Sequence, residues 1–166
     1  MGHRAKARAN LAALDVLAAL EAQARPATAA EQSVLARWSG WGSVPGIFDD
    51  DDARWAELRE ELRRRLDERA WDAARRTTLN APYTPAEAVQ AIWRTVGELG
   101  FTGGRVLEPG CGSGNFIGFA PDDARMVGVE LDPTTAAVAQ ALYPRADVRA
   151  EGFERSRFAD GSEFEQ

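Results

Sequence analysis

The stretch RVLEPGCGSGNFIGFA, residues 105–120, constrains this chain more than any other. A short apolar run ends on Glu108, glycines follow at Gly110, Gly112 and Gly114, and a helical pattern comes next. A glycine turn joining a strand to a helix lets the backbone come close to a nucleotide-like ligand. Strand and helix then alternate: RMVGVELD reads as a strand, PTTAAVAQALYP as a helix and ADVRAEGF as a third strand. Such alternation with apolar strands predicts an α/β fold of about three parallel strands flanked by helices. Asp132 before Pro133 supplies an N-cap and a first-turn proline for the second of these helices.

The residues ahead of the loop read as helical, which divides the chain into a helical N-terminal extension, 1–79, and a ligand-binding part, 80–166. Leu11, Leu14, Val16, Leu17 and Leu20 form one apolar face of a first helix that ends near Pro26. Thr28 and Glu31 have capping-box spacing for a second helix running through Trp38. SGWGSVPG cannot continue it, because three glycines and Pro45 interrupt the pattern. The acidic run Asp49 to Asp52 precedes ARWAELREELRRRLDERAWDAARR, which is expected as one long helix with carboxylates at its positive end. Its charges suit a solvated face of i,i+4 pairs, with an arginine face on DNA phosphates as the alternative. Thr84, Pro85 and Glu87 then mark the start of a helix whose apolar face is Val89, Ile92, Trp93 and Val96.

Composition removes several function classes. A net charge of −6 argues against a chain that wraps nucleic acid with its whole surface, although a local basic face is compatible with it. With Cys111 and His3 the only residues of their types, no internal disulfide, multi-cysteine zinc site or histidine-based triad can form. No apolar run approaches the roughly 20 residues of a membrane helix. Asp15 and Glu21 interrupt what would be the apolar core of a secretory signal, so a cytoplasmic protein is expected.

The loop also discriminates among ligands. In a dinucleotide fingerprint the third glycine would stand where Asn115 does. No Gly-Lys-Ser/Thr follows, as a phosphate-cradling Walker loop requires. Glu108 beside the turn would repel a pyrophosphate and attract an ammonium group. Glu130 stands 20 residues after Gly110, near the spacing at which an acidic residue meets ribose hydroxyls. Adenosine with an amino-acid tail describes S-adenosylmethionine.

VLEPGCGSGNF resembles the first motif of the S-adenosylmethionine-dependent methyltransferases, above all the N6-adenine DNA methyltransferases, and VGVELDP resembles their ribose-binding motif. NAPYTPAEAV resembles the segment that precedes the glycine loop in this class. LARWSGWGSVPGIFDD with TLNAPYT looks like the front of large methylase–helicase fusion proteins of phages and mobile elements. The resemblance implies a partial Rossmann-like methyltransferase fold with S-adenosylmethionine as cofactor. It implies that Glu108 meets the amino group, that Gly110, Gly112, Gly114 and Asn115 line the backbone approach, and that Glu130 holds the ribose. Tyr83 and Thr84 would lie near the methionine carboxylate, and Phe153 in EGFE would pack on adenine, an ordinary strand core residue being its other reading.

The same resemblance implies an Asn/Asp-Pro-Pro-aromatic motif after a fourth strand, to present the flipped adenine. ERSRFADGSEFEQ does not contain it, so no catalytic residue is assigned. In that fold the first strand is central with the fourth beside it, so the edge of RVLEP is expected to be uncovered. The expectation is a truncated or split enzyme, incomplete alone, with a partner chain or further segment covering that edge and DNA as partner of the intact enzyme. Two other readings remain open: a non-catalytic remnant that binds cofactor or a partner, and a methyltransferase acting on RNA, protein or a small molecule. Cys111 is expected to be a small tolerated side chain, and Trp38 and Trp41 to pack between the helices and the sheet rather than stack on bases.

Overall fold

The computed structural model describes residues 2–78 and 84–158. Helix α1 (His3–Gln23) ends where Ala24 turns left-handed, two residues before Pro26. Helix α2 (Ala29–Leu35) opens with the expected capping box between Thr28 and Glu31, and Arg25 grips the same Glu31 carboxylate with two hydrogen bonds. It stops short of Trp38. The buried Asn10 explains the chain's course there: its Nδ2 donates to Gly40 O at 2.9 Å and its Oδ1 accepts from Ser39 N at 3.0 Å. Both halves of the amide are satisfied, so the glycine-rich turn is pinned to α1.

The charge-rich stretch is not one helix. A 3₁₀ turn (Ala53–Trp55) leads into α3 (Ala56–Arg63), and a separate α4 (Glu68–Thr77) follows. Asp67 causes the break by accepting the Ala70 N–H at 2.7 Å as an N-cap, which a continuous helix would forbid. The division lets Leu58, Leu62 and Trp71 all reach the core. The acidic run wraps Arg59, whose buried guanidinium donates to the carbonyls of Ile47, Asp49 and Asp52. Arg64 and Arg65 pair with Glu60 and Glu61 at i,i+4 spacing, Arg65 also reaches Asp15, and Arg63 lies 4.0 Å above the Trp71 ring. Those contacts engage Arg59, Arg63, Arg64 and Arg65 of the expected arginine face.

Helix α5 (Ala86–Glu98) begins one residue later than its spacing predicts, with Pro85 as N-cap and no side-chain cap from Thr84. The strands β1 (Gly104–Pro109), β2 (Ala124–Glu130) and β3 (Asp147–Ala150) form a parallel sheet in the order β1-β2-β3. The short α6 (Asn115–Gly118) follows the glycine loop, and α7 (Pro133–Leu142) crosses from β2 to β3. Asp132 caps α7 as expected, accepting from Thr134 N and Thr135 N. Among the described residues β1 pairs with β2 alone, leaving its other edge open. The third strand ends at Ala150, three residues short of Phe153, which lies in a 3₁₀ turn.

The two segments share a core. Val138 of α7 is buried in the same cluster as the leucines and tryptophans of α1 to α4. Trp38, Trp41, Phe48 and Trp71 form a chain of tilted and edge-to-face rings with centroids 5.3, 5.7 and 5.0 Å apart. Trp38 also donates its indole N–H to Thr135 Oγ1 at 3.2 Å, tying the helical segment to the start of α7. The expectation that both tryptophans pack is therefore met, since both are buried. No described helix is long and apolar enough to cross a membrane.

Candidate functional site

Parallel strands bring their C-terminal ends to one side of the sheet, where ligands of open α/β folds bind. Here Glu108, Glu130 and Glu151 stand at or just beyond those ends, and a cleft of about 470 Å³ opens between them and the helical segment. That volume falls within the roughly 300–1,000 Å³ range of small-molecule sites. The expected residues Thr84, Glu108, Gly110, Gly112, Asn115, Glu130 and Phe153 all line it. Tyr83 lies outside the described residues.

The glycine loop lines the cleft but turns its first amides towards β2. The N–H groups of Gly110 and Cys111 both donate to Val129 O, at 2.8 and 2.9 Å, and that of Gly112 donates to Glu130 Oε2 at 2.9 Å. A phosphate cradle requires such amides to be free. Three consecutive amides are committed, so the loop is unsuited to hold a pyrophosphate. Gly110 has φ 76°, and a Cβ there would meet nothing within 4 Å. Its glycine is required by conformation, and the space above it is open.

Gly114 departs from the expectation. It does not line the cleft, and a Cβ on it would lie 2.6 Å from the Tyr143 ring. With φ 90°, it is a glycine of packing and turn geometry. Asn115 joins the loop to the segment before α5, its Nδ2 donating to Thr84 O at 3.0 Å. Thr84 thus contributes a carbonyl to the site's construction, in place of the cap its spacing predicted.

The two expected carboxylates differ in environment. Glu130 accepts from Gly112 N through Oε2 and from Asp132 N through Oε1, at 2.9 and 2.8 Å, and burial still raises its pKa. Glu108 has no such support: its Oε2 is buried with no hydrogen-bond partner. Burial, followed by the charge of Glu130, pushes its carboxyl up to about 7. A buried acceptor without a donor is costly unless something binds there. An ammonium group is the chemical complement of that site, supplying donors and countercharge together.

Cys111 is 4% exposed, and a Cβ on Gly128 would lie 2.7 Å from its Sγ. Burial and the two nearby glutamates push its thiol up to about 12, which makes it a packing residue and a poor nucleophile. Phe153 is 50% exposed on the cleft wall, so the strand core reading does not hold. No described group of three or more His, Cys, Asp or Glu is arranged to hold a metal ion.

Sequence reasoning missed the opposite wall. Gly40, Trp41, Arg76 and Thr77 of the helical segment line the same cleft. The sequence carried no local signal for them, because the packing of α7 against α1, α2 and α4 brings them there. Among the described residues, five carboxylates line the cleft, from Glu108, Glu130, Asp132, Glu151 and Glu154, against one basic residue, Arg76. No protein-family model matches the chain, and comparisons with curated proteins and with solved structures gave no match.

Proposed function

We propose that the cleft binds S-adenosylmethionine and that the chain is the cofactor-binding portion of an adenine-specific DNA methyltransferase with a partial Rossmann-like fold. One observation carries the reading: the partnerless, buried Oε2 of Glu108 beside a glycine loop whose amides are already committed. That pairing favours a cationic amino-acid end and disfavours phosphates. DNA as the acceptor rests on the motif resemblance alone.

The residues present fit the cofactor. Glu108 accepts from the ammonium of the methionine moiety. Gly110 leaves open space for the backbone approach, and Gly112 lines the same cleft. Glu130 has acceptor capacity left for ribose hydroxyls, since a carboxylate offers about four lone-pair sites and two are used. The exposed face of Phe153 is available to the adenine ring. When bound, the cofactor supplies an electrophilic methyl group on a sulfonium that departs as a neutral thioether. No residue is assigned the transfer itself.

The open edge of β1 among the described residues supports a second element, namely a partner chain or further segment that pairs with it. Ligand-induced stabilisation tests the cofactor reading, because a ligand that binds the native state raises Tm. S-adenosylmethionine should raise it and NAD should not. A rise with NAD alone would overturn the reading.

A further inference from the structure

The cleft has a division of labour between its walls. The sheet side presents acceptors, the carboxylates of Glu108, Glu130 and Glu151, while the helical side presents donors. Arg76 makes no ion pair among the described residues, and its one hydrogen bond, Nε to Asp72 O at 3.2 Å, leaves both Nη groups free. Trp41 is 1% exposed, yet its indole N–H has no hydrogen-bond partner. Buried donors are nearly always satisfied, so a partnerless one on a cleft wall points to an acceptor on the ligand.

We propose that the helical segment reads the carboxylate end of the bound amino acid, with the Arg76 guanidinium as its partner and the Trp41 indole N–H as a second donor. The inference rests on the S-adenosylmethionine reading and deepens it. A zwitterionic tail places an ammonium and a carboxylate on one carbon, and among the described residues this cleft carries a partnerless acidic oxygen and a basic side chain with no ion pair. A guanidinium fork matches the two oxygens of a carboxylate. The helical segment is then part of the binding site, and a ligand lacking the carboxylate loses half of what the site recognises.

The test is calorimetric titration of the wild-type chain and Arg76→Ala with S-adenosylmethionine and with its decarboxylated analogue, which keeps the ammonium. Arg76→Ala should weaken S-adenosylmethionine about tenfold or more and leave the analogue unchanged. Glu108→Gln should weaken both ligands, and Arg75→Ala, on the neighbouring exposed arginine, should weaken neither. Equal effects of Arg76→Ala on the two ligands, or none on either, overturn the inference while leaving the cofactor reading standing. Failure of the folded wild-type chain to bind S-adenosylmethionine overturns both. The indole resonance of Trp41, assigned by its loss in Trp41→Phe, should shift when S-adenosylmethionine is added, and an unmoved resonance removes Trp41 from the proposal.

Discussion

Glu130 holds Gly112 by a hydrogen bond of 2.9 Å from the loop N–H to its Oε2, so the residue expected to face the ribose also fastens the glycine loop. Its other oxygen takes the Asp132 N–H at 2.8 Å, joining the loop, the end of β2 and the start of α7 through one carboxylate. Binding and stability are therefore coupled at this position.

Removing that clamp should cost both. Hydrogen bonds to charged groups contribute about 1.5–3 kcal/mol each, so Glu130→Ala should destabilise the fold by about 2 kcal/mol or more. Glu130→Gln keeps one acceptor oxygen and should lose less. Urea unfolding of the three proteins checks the order.

Glu108 should make stability fall with rising pH. Its folded pKa of about 7 lies above the unfolded value of 4.5, so the native state binds the proton more tightly. That contribution is complete below 4.5 and is lost as the pH passes through about 7. Glu130, shifted in the same direction, adds to the slope. Glu108→Gln stays neutral throughout and should flatten the Tm profile in that window. Affinity for an ammonium-bearing ligand should run the opposite way in the wild-type chain, rising as Glu108 ionises.

The two loop glycines should separate strain from packing. Gly110→Ala meets open space and bears only the cost of a left-handed backbone, about 1–2 kcal/mol. Gly114→Ala bears that cost and also drives a Cβ to 2.6 Å from the Tyr143 ring, so it should be clearly the more destabilising. Gly110→Ala should instead show its main defect in ligand binding. Thermal unfolding and titration of both variants measure the contrast.

Cys111 should resist alkylation in the folded chain. Its burial and raised pKa leave almost no thiolate at neutral pH. Iodoacetamide should label it at a useful rate only after denaturant is added, and rapid labelling of the native protein would contradict its packing role.

The sheet and its loop were legible because their signals are local. Apolar runs, glycine positions and the Asp132–Pro133 pair specify β1, β2 and α7 without reference to distant residues. The break between α3 and α4 was not, since helix periodicity continues through it, while the Asp67 capping bond starts a second helix that buries Trp71. Glu108 and Glu130 were recognisable from their spacing, but their different states were not: one carboxylate is clamped by two amides and the other is left with a bare oxygen. The wall formed by Trp41 and Arg76 follows from tertiary packing alone.

Under the proposal, a cationic amino-acid end binds at the partnerless Oε2 of Glu108. Calorimetric titration of the purified chain with S-adenosylmethionine at mildly alkaline pH, beside Glu108→Gln, measures it directly. Saturable one-to-one binding is expected, weakened about tenfold or more by the substitution. A folded wild-type chain giving no saturable heat, or a Glu108→Gln variant binding as tightly as the wild type, would contradict it.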